Sequence, residues 1–138
     1  MTNLDSSTQL YKALAHRARL RILAMLRGGD LCACQITAAL GLAPSTISAH
    51  VAELRRAGLV TERKDGRWVH FDLAKDPGAR ATLRQVWRQI ESDPQVAEDA
   101  AALARLREIP VEQLCRMDQP LAQLERASVS RPSRAART

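Results

Sequence analysis

Pro44-Ser-Thr-Ile-Ser-Ala-His-Val-Ala-Glu-Leu-Arg-Arg-Ala-Gly-Leu-Val60 is the stretch that decides the fold. Proline suits the first position of a helix, and Ile47, Val51 and Leu54 recur at i, i+4 and i+7 to make one apolar face. Ala57-Gly58 ends the helix. The opposite face offers Ser45, Thr46, Ser48, Ala49 and His50, mostly small side chains that let a helix approach another surface closely. Immediately upstream, Gly41-Leu42-Ala43 reads as a tight turn after a helix that Asp30 caps and that runs to Leu40, with Ile36 and Leu40 on its apolar face. Downstream, Leu59 to Lys64 and Arg67 to Leu73 read as strands joined by Asp65-Gly66, a dipeptide typical of two-residue hairpins. In the second strand Val69, Phe71 and Leu73 alternate toward one face, and Trp68 and His70 toward the other.

Working outward, helices are expected over Asp5–Leu14 and Arg17–Arg27, the second stopping at Gly28-Gly29. A long helix from Ala79 carries Leu83, Val86, Trp87 and Ile90. Asp93-Pro94 breaks it and caps a further segment reaching Glu108. Pro110 opens a short amphipathic piece with Val111, Leu114 and Cys115. The order helix, helix, tight turn, helix, basic hairpin is a winged helix-turn-helix, mainly α with a small β-hairpin. Residues 1–108 are expected to form the DNA-binding domain, residues 109–125 a short helical extension, and residues 126–138 a disordered Arg-rich tail.

In such a motif the second helix lies in the major groove with its N-terminal residues facing base edges. Ser45, Thr46, Ser48 and His50 are therefore candidate DNA contacts, and so are Arg63, Lys64 and Arg67 around the hairpin tip, where cations meet phosphates. Taken singly, each residue could equally start a helix or solvate a face. Together with the turn and the apolar spacing they point to DNA. His50 divides between phosphate contact and local packing, whereas His16 and His70 read as packing or surface residues. A formal net charge of +6 and a pI near 10.0 agree with a polyanionic partner. Arg126, Arg131, Arg134 and Arg137 in the tail supply much of that excess.

The chain has 138 residues, 46% of them hydrophobic but only 3% aromatic, enough for one aliphatic, helical core. No apolar run approaches the roughly 20 residues of a bilayer span, and the N-terminus lacks a signal-peptide core. The expected location is therefore cytoplasmic, away from membranes, where thiols stay reduced. That setting gives the three cysteines their interest. Cys32 and Cys34 fall where the helix before the turn begins, inside Leu31-Cys-Ala-Cys-Gln-Ile36. Thiolates are soft ligands that select thiophilic ions over magnesium or calcium, and helix N-termini favour the thiolate form. Residues two apart lie about 200° around a helix axis, so the pair can share one ion only if this first turn is, or becomes, non-helical. Unwinding of that turn on binding would move the recognition helix packed against it. Cys115 has two readings, a third ligand or a side chain packed on the apolar face of Val111 and Leu114.

The run Pro44–Val60, the hairpin Arg63-Lys-Asp-Gly-Arg-Trp-Val-His-Phe-Asp-Leu73 and the segment Leu14-Ala-His-Arg-Ala-Arg-Leu-Arg-Ile-Leu23 together resemble the ArsR/SmtB family of metal-sensing repressors, over about residues 8–90. The resemblance implies a homodimer held by its first and last helices, bound to double-stranded operator DNA in the absence of inducer. Two recognition helices about 34 Å apart would read an imperfect inverted repeat. Leu31–Ile36 resembles the Leu-Cys-Val-Cys-Asp-Leu signature of the arsenic-responsive branch, which implies As(III) or Sb(III) as inducer at Cys32 and Cys34. The chain departs from one family pattern in having Thr37, not cysteine, three residues after Cys34, which leaves Cys115 as the remaining thiol. It also lacks histidines after His70, and cysteines before Cys32, that the family's zinc and cadmium or lead sensors use.

The alternative on the same fold is a repressor responding to oxidants or sulfane sulfur, through a disulfide or polysulfide link involving Cys115. An enzyme fits poorly. There is no Cys-x-x-Cys, no alternation of strands and helices, and no evident nucleophile–base pair.

Overall fold

The computed structural model describes residues 3–116. The expected Arg-rich tail and most of the expected extension lie outside them. Among the described residues, seven helices and three strands follow in order: α1 (Leu4–Leu14), α2 (Arg17–Leu26), β1 (Leu31–Cys32), α3 (Ala33–Leu40), α4 (Pro44–Arg56), β2 (Val60–Asp65), β3 (Trp68–Leu73), α5 (Pro77–Ile90), α6 (Pro94–Leu106) and α7 (Val111–Arg116). The fold is a winged helix-turn-helix, with α3 and α4 as the two helices of the motif and β2–β3 as the wing. None of the described helices is long and apolar enough to cross a membrane.

Local signals set these boundaries. Asn3, His16, Asp76 and Asp93 each cap a helix by accepting a backbone N–H. Pro44, Pro77 and Pro94 each stand in the first turn, where the missing N–H costs nothing. Gly41 closes α3 in the left-handed region at φ +68°, a conformation that a side chain would resist. Ile47, Val51 and Leu54 turn inward as their spacing requires and are at most 2% exposed. They join Ile22, Leu23, Leu26, Leu31, Ile36 and Phe71 in one apolar core.

Two details differ from expectation. The hairpin register pairs Asp65 with Trp68, so the two-residue loop is Gly66-Arg67 and not Asp65-Gly66. Gly66 takes φ +61° in the first loop position, where a II′ turn wants glycine. Both dipeptides contain the one residue that the turn needs, so composition alone could not choose between them. The second difference lies before α3. Leu31 and Cys32 form a short strand that pairs antiparallel with β3 (Leu31 opposite Phe71, Cys32 opposite His70), completing a sheet in the order β1-β3-β2. Cys32, not Asp30, is consequently the N-cap of α3.

A largely buried ion pair ties α6 to α2. The Arg21 guanidinium on α2 donates to both oxygens of Asp99 on α6, each at 2.9 Å, and the Gln95 amide donates to Asp99 at 3.0 Å. Asp99 is 3% exposed and is the buried charge among the described residues. Replacing Asp99 with Ala would strand the guanidinium, whose side chain is 24% exposed and so partly rehydrated. The expected loss is about 2 kcal/mol in urea unfolding, below the full cost of breaking a wholly buried pair. A change under about 0.5 kcal/mol would mean that this pair does not hold α6 in place.

Candidate functional site

Two sites share one scaffold. On the outer face of α4, Ser45, Thr46 and Ser48 are exposed, while Ile47 between them is buried. The wing presents Arg63, Lys64 and Arg67, all exposed. Arg63 is already engaged, meeting Asp30 at 3.2 Å and Asp65 at 3.8 Å. Lys64 and Arg67 have no ion-pair partner among the described residues. Arg55 at the end of α4 meets Glu62 of β2 at 3.0 Å and links the recognition helix to the wing.

His50 faces the protein. Its ring lies 4.3 Å from that of His16, and Nδ1 accepts from Arg19 Nε at 3.2 Å, tying α4 to α2. Burial, with His16 and Arg19 adding, pushes its pKa below the usual histidine value. Nδ1 can accept the Arg19 N–H only while unprotonated, so the contact and the direction of the shift agree.

The thiol cluster lies at the start of α3. The sulfurs of Cys32, Cys34 and Cys115 all fall within 4.8 Å of one another. Cys32 is 1% exposed, and the other two are half-buried. Three elements bring them together. Cys32 ends β1 in extended conformation (φ −81°, ψ 157°), Cys34 stands one residue into α3, and Cys115 arrives on α7. Leu114, 2% exposed, anchors α7 in the common core. Cys34 and Cys115 are joined by a disulfide with their Cα atoms 5.2 Å apart, and Cys32 is free.

This geometry corrects the expectation that both cysteines of the pair sit on a helical turn. Cys32 precedes the helix, so its sulfur is free of the 100°-per-residue helical step and no unwinding is needed to bring it to Cys34. The turn is instead held by a capping box. Gln35 Oε1 accepts the Cys32 N–H at 2.9 Å, and the Cys32 side chain takes the place from which a capping residue receives the Gln35 N–H. As a donor set, three sulfurs suit a soft, thiophilic centre.

Comparison with known proteins agrees with this architecture. Residues 16–62, from the cap of α2 to the start of the wing, match the family described as bacterial regulatory protein, arsR family. The arsenical resistance operon repressor of Escherichia coli K12 is 41% identical over 83 residues, 58% of this chain and 71% of that protein. The chain belongs to the ArsR family. Among solved structures, HlyU from Vibrio cholerae superimposes on this ArsR-family chain with TM-score 0.56 and 34% identity, over 62% of this chain and 92% of that one. A homodimeric winged helix-turn-helix DNA-binding domain from Mycobacterium bovis does so with TM-score 0.55 and 34% identity, over 62% and 81%. These relatives are regulators of transcription, and the ArsR-family chain is a regulator rather than an enzyme.

Sequence reasoning missed three contributors to the site: strand β1, the Gln35 cap and the Asp30 contacts to Arg63 and His70. Gln35 had a visible signal, since it lies three residues after the N-cap. Asp99, outside the site, also had a signal, as the acidic residue on the apolar stripe Val96, Leu103, Leu106 of α6.

Proposed function

We propose that this protein is a transcriptional repressor that holds an operator as a homodimer and lets go when As(III) or Sb(III) is taken up by Cys32, Cys34 and Cys115. The convergence of three sulfurs at the start of α3 carries the reading. Trivalent arsenic favours three sulfur ligands, and reduction of the Cys34–Cys115 bond adds two thiols to the free Cys32. The likeness to an arsenical resistance operon repressor supports the same inducer class. Ser45, Thr46 and Ser48 would face base edges or phosphates in the major groove, and Arg63, Lys64 and Arg67 the adjoining backbone of an imperfect inverted repeat. His50, turned toward His16, acts mainly by seating α4. The second subunit would cover the apolar groove of Leu10, Tyr11, Leu14, Val86 and Ile90 between α1 and α5, beside which Tyr11 is 71% exposed. The homodimeric state of the Mycobacterium bovis domain supports this arrangement. A cytoplasmic location follows from work on DNA with reduced thiols.

The test is release of a labelled operator from the reduced protein, titrated with arsenite, antimonite, cadmium and zinc. Arsenite and antimonite should release DNA at lower concentrations than zinc. Preferential response to zinc would overturn the reading. A second reading has one observation in its favour. The Cys34–Cys115 disulfide is the link that a thiol-redox or sulfane-sulfur-responsive repressor would need. Under it, peroxide or polysulfide alone would release the DNA.

A further inference from the structure

The disulfide and the inducer compete for the same atoms but do not pull on the same parts of the fold. Cys34 lies within α3 and Cys115 on α7, so their bond ties together two helices across 81 residues of chain. Of the three cysteines, Cys32 is the one that belongs to the wing's sheet. It is hydrogen-bonded through β1 to β3, opposite His70. Two residues before it, Asp30 meets Arg63 at 3.2 Å and His70 at 3.6 Å, both residues of the wing hairpin. With the disulfide formed, Cys32 is free, β1 stays paired, the Gln35 cap is closed and α3 runs unbroken to Leu40. The pairing of β1, the Gln35 cap and helix α3 are therefore all intact with this bond in place.

We infer that the Cys34–Cys115 disulfide is a guard on the inducer site: it makes the regulator blind to trivalent arsenic and leaves it competent to hold DNA. The inference rests on the proposed inducer site and adds its regulation. Arsenous acid exchanges its three hydroxyls for three thiols, forming three As–S bonds and three waters with arsenic still trivalent. In the guard reaction the Cys34 and Cys115 thiols give two electrons and two protons to a hydroperoxide, whose O–O bond breaks to yield water and an alcohol, or two waters from hydrogen peroxide. One thiol then remains, and a lone sulfur cannot chelate. Access favours this pairing, because Cys34 and Cys115 are half-buried while Cys32 is 1% exposed. Release of DNA requires Cys32 to be drawn to the arsenic, and through β1 that movement reaches the wing.

The experiment compares full-length protein reduced with a phosphine, which does not chelate arsenite as dithiols do, with protein oxidised by peroxide. Intact mass and thiol titration confirm the link. Arsenic bound per chain and operator affinity are then measured on both forms. Reduced protein should take up arsenic and release DNA. Oxidised protein should bind arsenite at least about 100-fold more weakly, hold the operator within about threefold of the reduced affinity, and recover on re-reduction. Operator release by oxidation alone would overturn the inference in favour of a redox switch, and undiminished arsenite binding would overturn it outright. Phenylarsine oxide, which needs two sulfurs, supplies an independent reading. Oxidised wild type should lose it, whereas Cys115→Ser under the same treatment should keep it through Cys32 and Cys34. Equal loss in both would place the guard elsewhere than the Cys34–Cys115 bond. Failure of reduced protein to answer arsenite would sink the functional reading itself, while phenylarsine oxide binding would still report the guard.

Discussion

Cys32→Ser should give a regulator that still holds its operator but no longer answers to arsenite. Serine is a preferred N-cap residue, and its hydroxyl can accept the Gln35 N–H from the position of the Cys32 sulfur. The reciprocal bond from the Cys32 backbone N–H to Gln35 does not depend on the side chain. The start of α3 and the β1–β3 pairing should therefore survive, and operator affinity should stay within about threefold of wild type. Arsenite affinity loses one of three soft ligands and should fall at least about 100-fold, roughly 2.7 kcal/mol. An operator titration with and without arsenite separates the two effects. Loss of DNA binding in the absence of arsenite would show that Cys32 is structural first, and an unchanged arsenite response would remove it from the inducer site.

Lys64→Ala combined with Arg67→Ala should produce the largest loss of DNA binding without loss of fold. Both side chains are exposed and lack ion-pair partners among the described residues, so removing them disturbs no packing. In a homodimer the double substitution removes four cations. If each neutralises one phosphate, the slope of log affinity against log salt should shrink by about 3.6, and affinity at 0.15 M salt should fall by about two to three orders of magnitude. Arg63→Ala should cost less, because Asp30 and Asp65 already offset that charge. A salt slope unchanged by the double substitution would take the wing tip off the DNA backbone.

These predictions draw on parts of the molecule that were unequally visible in the sequence. The helix-turn-helix was legible because its signals are local. Gly41, Pro44, Gly58 and the spacing of Ile47, Val51 and Leu54 each act within a few residues. The wing was legible apart from a one-residue shift of its loop. Strand β1 was not legible, since two residues carry no period and become a strand only because β3 lies beside them. For the same reason the i,i+2 spacing of Cys32 and Cys34 pointed to a helical obstacle that the fold avoids. Cys115 was visible as a candidate but not as a neighbour. Its approach to Cys34 depends on Leu114 docking in a core built from residues about 80 positions earlier. The inward turn of His50 depends likewise on His16 and Arg19 of another helix.

The central claim is that three sulfurs from β1, α3 and α7 hold one trivalent arsenic. X-ray absorption at the arsenic edge on the reduced, arsenite-loaded protein tests it most directly. Wild type should show three sulfur neighbours and no oxygen, and Cys115→Ser should show two sulfurs and one oxygen. Two sulfurs and an oxygen in wild type, unchanged by Cys115→Ser, would contradict it.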